Sequence, residues 1–247
     1  MAKHFKKFYD EAKQELVNNE LERIVEVYGH ISDWINKPGL KSLYRTVVEN
    51  ETIALTVIKA LEEHYSFKIF TKHELENDFF DDVDCVCIPG GIGDADKFEM
   101  CFEHNKKAVN NFLNRGGKYL GICMGGYWAG SEYFNILKDC DTTQYITRPN
   151  TDTRRPHAKN LSVEWNGQLE KMFFYDGFAV VGSNNFETIG RYMNGDPMAI
   201  IQDNVGIIGC HPEATKHWYD SYSWMKNKYH NQHRLLLEFV NKLMEVK

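Results

Sequence analysis

One stretch in the middle of the chain restricts the fold more than any other: Gly117-Lys-Tyr-Leu-Gly-Ile-Cys-Met-Gly-Gly-Tyr-Trp-Ala-Gly130. A short apolar run, Tyr119 to Ile122, meets Cys123 and then small residues that open an amphipathic segment. This reads as strand, sharp turn and helix, with the cysteine at the turn. Gly121 and Gly125 flank it at minus two and plus two, where the backbone of such a turn approaches itself and side chains do not fit. The spacing is the cysteine counterpart of the G-x-S-x-G nucleophile elbow. It exposes the side chain at the carboxyl end of a strand, beside a helix N-terminus whose N–H groups and dipole favour thiolate. The competing reading for any single cysteine is a small apolar core residue.

The partner for that cysteine lies far downstream. The apolar run Val205 to Gly209 leads straight into Cys210-His-Pro-Glu213. In an extended segment, residues i and i+2 share a face, so His211 and Glu213 point the same way. A histidine beside a carboxylate is the base and its orienter: the acid fixes the tautomer and stabilises the imidazolium. Both the cysteine and this pair end strands, and a parallel sheet brings strand ends together. A metal site at Cys210, His211 and His217 lacks any paired C-x-x-C spacing, and no metal is expected.

The rest of the chain supplies such a sheet. Segments Leu43–Val48, Phe67–Thr71, Val83–Ile88 and Tyr119–Ile122 read as strands, with helices over Thr52–His64 and Lys106–Asn114. Strands alternating with helices indicate an α/β fold, a doubly wound and mostly parallel sheet of flavodoxin-like type. Chemistry in such sheets collects at the carboxyl ends of strands. Asp141 to Asn160, with Arg148, Arg154, Arg155 and Lys159, reads as a solvated loop. Short strands follow at Leu161–Trp165, Met172–Tyr175, Ala179–Val181, Glu187–Tyr192 and Met198–Gln202, antiparallel in pattern, and one helix closes the chain over His217–Val246. Residues 1–40 read as a helical extension, and residues 41–247 as one α/β domain. The extension packs on the domain or makes a homo-oligomer or protein-partner contact, packing being the simpler reading.

Composition narrows the partners. With 29 basic and 35 acidic residues among 247, net charge is −6 and the basic residues are scattered, which argues against nucleic acid. No apolar run approaches a membrane span, and the basic opening Met1-Ala-Lys-His-Phe-Lys-Lys soon meets Asp10, Glu11 and Glu15 rather than a leader sequence. The six cysteines read as reduced thiols of a cytoplasmic protein. Gly91-Ile-Gly93 does not extend to G-x-G-x-x-G, there is no P-loop, and no cofactor is expected. Pro89-Gly-Gly91 instead offers bare N–H groups past a strand end.

Gly121-Ile-Cys-Met-Gly125 and Gly209-Cys-His-Pro-Glu213 resemble the cysteine elbow and His-x-Glu element of class I glutamine amidotransferase-like domains. Pro89-Gly-Gly91, Gly116 to Ala129, Phe174-Tyr-Asp-Gly177 and Gly206 to Glu213 are similar to one branch of that superfamily, the biotin–protein ligase N-terminal-like domains. The resemblance runs from about Leu43 to Glu213. It implies Cys123 as nucleophile, His211 as base and Glu213 as its orienter. The N–H groups of Gly91 and Met124 would form an oxyanion hole, with Gly90 and Tyr127 on the substrate side. Glutamine-hydrolysing relatives usually carry Gln where this chain has Tyr127. No biotinyl-AMP loop is present, so biotin ligation is not implied. The expectation is a cysteine-dependent hydrolase of a small-molecule amide or ester. Its rival is a binding or regulatory module that keeps the fold without turnover, and a cysteine α/β hydrolase fits less well because Glu213 follows His211.

Overall fold

A computed structural model describes residues 54–68, 80, 82–91, 106–183 and 185–246, all within one unit, Glu49–Lys247. The helical extension over 1–40 and the strand Leu43–Val48 lie outside the described residues, as does most of the strand read at Phe67–Thr71. Helix α1 spans 54–61. There follow β1 (Cys85–Ile88), α2 (Lys106–Asn114), β2 (Lys118–Ile122) and α3 (Met124–Trp128). Then come β3 (Cys140–Gln144), a 3₁₀ turn over Tyr145–Thr147, β4 (Lys159–Trp165), β5 (Gln168–Phe174) and β6 (Phe178–Gly182). The chain closes with β7 (Glu187–Tyr192), β8 (Pro197–Gln202), β9 (Val205–Ile208), α4 (Lys216–Asp220) and α5 (His233–Glu245).

The fold is α/β, built on a seven-stranded sheet in the order β1-β2-β9-β8-β7-β4-β5. Its β1-β2-β9 half is parallel, and the pairings from β9 out to β5 are antiparallel. Alternate residues of each strand face opposite layers. Leu120, Ile122 and Ile208 pack with Val57 and Leu61 of α1 and with Leu235, Leu236, Phe239, Val240 and Leu243 of α5. The intervening Tyr119 and Ile207 pack on the other face, with Ala108, Val109 and Phe112 of α2 and with Trp128. The α5 positions recur at three and four residues, so one stripe of that helix is apolar and buried. Each large side chain so buried contributes roughly 1.5–3 kcal/mol.

Two expectations are corrected. The loop read over Asp141–Asn160 begins as a strand: β3 pairs antiparallel with β6 in a separate two-stranded sheet. Its residues Cys140-Asp-Thr-Thr-Gln144 are none of them fully buried, so no apolar alternation marked it. The closing helix is two helices, with 221–232 irregular between α4 and α5. Tyr219 of α4 and Met225 in the break both pack with Phe173, Ala158 and Ala214, and Asn227 takes a left-handed φ of 62°. A straight helix would have left this small cluster beneath His211 unfilled.

Candidate active site

Strand β2 lies between β1 and β9, and its ladder continues one residue further, where the Cys123 N–H donates to the Ile208 carbonyl at 2.7 Å. There the chain reverses. Cys123 adopts φ 50°, ψ −105°, left-handed backbone that non-glycine residues rarely accept. Its carbonyl already receives the N–H groups of Gly126 and Tyr127 at 2.9 and 3.1 Å, so α3 starts at once. Such a residue costs of order 1–3 kcal/mol and persists only where its surroundings hold it. The surroundings here are specific. A Cβ on Gly121 would strike the Gly125 carbonyl, and one on Gly125 would strike the Ile88 carbonyl. The Tyr119 hydroxyl donates to the Gly125 carbonyl at 2.6 Å, bolting α3 to β2.

On the other side, His211 N–H donates to the Phe173 carbonyl at 2.9 Å, which ties the end of β9 to the end of β5. The ring is wedged edge-on between Phe173 and Trp218, with centroids 5.9 and 5.2 Å away. Nδ1 donates to Glu213 Oε1 at 2.8 Å, so the i, i+2 pairing read from the sequence is present in the fold. Glu213 is 0% exposed and His211 5%. The buried carboxylate thereby holds a proton on Nδ1. Burial would lower the imidazole pKa, but the neighbouring Glu213 carboxylate and Cys123 sulfur outweigh it and raise it to about 10.

Gly90 stands where the two halves meet. A Cβ there would lie 2.6 Å from His211 Cε1 and 3.7 Å from Cys123 Cβ. Gly90→Ala is therefore expected to push the imidazole off its position. A geometric loss of this kind should slow Cys123 alkylation by about tenfold to a hundredfold, read by timed peptide mass spectrometry, with the melting midpoint reporting fold integrity separately. Gly91 follows at the end of β1, and Met124 opens α3 immediately after the cysteine.

The elbow does not leave the thiol open. Cys123 is 5% exposed, and its Sγ reaches the Tyr175 carbonyl at 3.7 Å. The Tyr127 hydroxyl donates to the Asp176 carbonyl at 3.2 Å, and its ring meets Phe178 edge-on at 5.6 Å. Burial and the neighbouring Cys123 raise the phenol pKa, so it stays protonated. The turn from β5 to β6 thus roofs the sulfur. Phe174-Tyr-Asp-Gly177 marked that turn in the sequence, whereas nothing there singled out Trp218 against His211. Among the described residues, no group of three or more His, Cys, Asp or Glu side chains could hold a metal ion, and no helix is long and apolar enough to cross a membrane.

Residues 45–141 match the family model described as biotin-protein ligase, N terminal. No curated protein matches the chain by sequence. Solved structures do match by fold. One described as a glutamine amidotransferase has a TM-score of 0.57 at 15% identity, covering 78% of this chain and 94% of its own. A glutamine amidotransferase from Thermotoga maritima has a TM-score of 0.55 at 13% identity, covering 78% and 92%. PurLQS, also from Thermotoga maritima, has a TM-score of 0.50 at 15% identity, covering 76% and 92%. The stretch that carries β1, α2 and the cysteine elbow thus matches the biotin-protein ligase, N terminal, family model, on a fold shared with solved glutamine amidotransferases.

Proposed function

We propose that this chain is a cysteine-dependent hydrolase, or amidotransferase-like enzyme, acting on a small-molecule amide or ester. The observation that carries the reading is a left-handed cysteine, locked by glycines, facing a buried His211–Glu213 pair across Gly90. The Cys123 thiol gives its proton to His211 Nε2 as the sulfur attacks the carbonyl carbon; an S–C bond forms and the carbonyl π pair moves to oxygen. The N–H groups of Gly91 and Met124 hold that oxyanion, and removing one such donor typically costs about 3 kcal/mol of barrier. Collapse breaks the bond to nitrogen or oxygen as His211 protonates the leaving group. Water then adds to the thioester, with His211 taking its proton, and the second collapse returns the thiol. Glu213 keeps Nδ1 occupied so that Nε2 does the transfers. A reducing, cytoplasmic setting fits the free thiols at Cys85, Cys87, Cys123, Cys140 and Cys210.

The test is acylation by p-nitrophenyl acetate. A burst of p-nitrophenolate with an acetyl adduct on Cys123 is expected, and Cys123→Ser should lose both. A burst that survives in the variant, or an adduct only on other cysteines, would contradict the reading.

One observation favours a second function of another class. The thiol is 5% exposed under the Tyr127 and Tyr175 turn, which suits a binding or regulatory module without turnover. That module would bind its ligand equally well as Cys123→Ala. A trapped thioester ends it.

A further inference from the structure

We propose that Asp176 determines specificity: its carboxylate, beside the Cys123 cleft and with no cation paired to it among the described residues, selects amides or esters bearing an ammonium or guanidinium group beyond the reacting carbonyl. The inference rests on the hydrolase reading and names the substrate class of that same site. Asp176 belongs to the turn that roofs the sulfur. The residue before it supplies the carbonyl that Cys123 Sγ reaches at 3.7 Å, and its own carbonyl anchors the Tyr127 hydroxyl at 3.2 Å. Those two contacts leave the turn little freedom, and the residue's left-handed φ of 55° adds to the constraint.

The side chain is half-buried, and among the described residues its carboxylate meets one donor, the neutral Gln144 amide, at 3.2 and 3.5 Å. A carboxylate offers about four acceptor sites, so most of this one is unused. Burying a charge without a counter-charge is costly. The molecule avoids that cost at Asp196, also half-buried, which takes two guanidinium bonds from Arg148 at 2.9 and 3.1 Å. Among the described residues no such partner reaches Asp176, and burial raises its pKa. The Tyr127 hydroxyl bonds the Asp176 carbonyl while the adjoining Tyr175 carbonyl touches the Cys123 sulfur, so Asp176 and the sulfur lie within one substrate's reach. A cationic group entering over Tyr127 would meet an aromatic ring and an unpaired acid together.

The experiment compares two alkylating probes of equal size: a chloroacetamide N-substituted with an aminoethyl group, cationic at neutral pH, and its n-propyl isostere. Each forms an S–C bond to Cys123 with loss of chloride. The readout is the ratio of the two rates at Cys123 by peptide mass spectrometry. A ratio of about ten or more is expected in the native chain, shrinking with added salt, since a half-screened pair at contact is worth that much. Asp176→Asn, which tolerates the same backbone, should bring the ratio to about one. Asp203→Asn, in the turn that precedes β9 at the end away from His211, should leave it as in the native chain. A native ratio near one, or a ratio that survives in Asp176→Asn, overturns the proposal while the hydrolase reading stands. Should neither probe favour Cys123 over the other cysteines, the hydrolase reading fails, and this proposal with it.

Discussion

Gly125→Ala is expected to cost at least about 3 kcal/mol of folding stability, at or beyond the upper end of ordinary overpacking penalties. The added methyl group would collide with the Ile88 carbonyl, which is backbone of β1 and cannot rotate away. Relief requires α3 to lift from the sheet, and that movement would break the 2.6 Å bond from the Tyr119 hydroxyl to the Gly125 carbonyl. It would also release Cys123 from its left-handed turn. Gly167→Ala is the comparison. Gly167 has a φ of 77°, but nothing lies within reach of its Cβ, so only the backbone cost of about 1–2 kcal/mol applies. Urea midpoints of the two variants against the native chain measure the difference. Equal, small shifts would mean that the elbow is not held by close approach.

His211→Gln should slow acyl transfer through Cys123 by about 10²–10⁴-fold, the usual contribution of a positioned proton carrier. Glutamine keeps a donor for Glu213, so the buried acid is not stranded, while the ability to accept and return a proton is lost. A pH signature accompanies the rate. The folded imidazole titrates at about 10, above its ordinary 6.5, because the Glu213 carboxylate and Cys123 sulfur outweigh the effect of burial. A pKa raised by folding stabilises the folded chain fully below the unfolded value, and that gain fades as pH climbs through the folded one. Native stability should therefore fall between about pH 6.5 and 10, and His211→Gln should lack this component. Urea melts at both ends of the window test it, and parallel pH profiles for the two chains would contradict it.

Much of the fold was legible because period and chemistry agreed. The α2 helix falls where the spacing of Ala108, Val109 and Phe112 places it. β4 alternates buried and more exposed positions over 161–165, and β8 and β9 are short buried apolar runs between turn signals. Where the pattern failed, packing had replaced it. β3 is polar on both faces because it pairs only with β6, outside the main sheet. The closing segment breaks because Tyr219 and Met225 serve a local cluster instead of a helical stripe.

The candidate site divides the same way. Local spacing marked the elbow glycines and the i, i+2 relation of His211 to Glu213. Long-range contact carried the rest: the ring of His211 against Gly90, the wedge of Phe173 and Trp218, and the roof formed by Tyr175 and Asp176. That roof is why a cysteine expected at an open strand end is 5% exposed. Contacts across about fifty residues, Cys123 to Tyr175 and Tyr127 to Asp176, form it, and no local sequence signal encodes them.

Competitive alkylation of all six cysteines near neutral pH, resolved site by site by peptide mass spectrometry, is the most direct test. If Cys123 is a nucleophile served by His211, it should react about a hundredfold faster than Cys85, Cys87 and Cys210, whose pKa values burial raises, and clearly faster than half-exposed Cys140. That lead should vanish in His211→Gln. Equal labelling of the six, or a Cys123 that reacts last, would leave the fold standing and contradict the catalytic thiol.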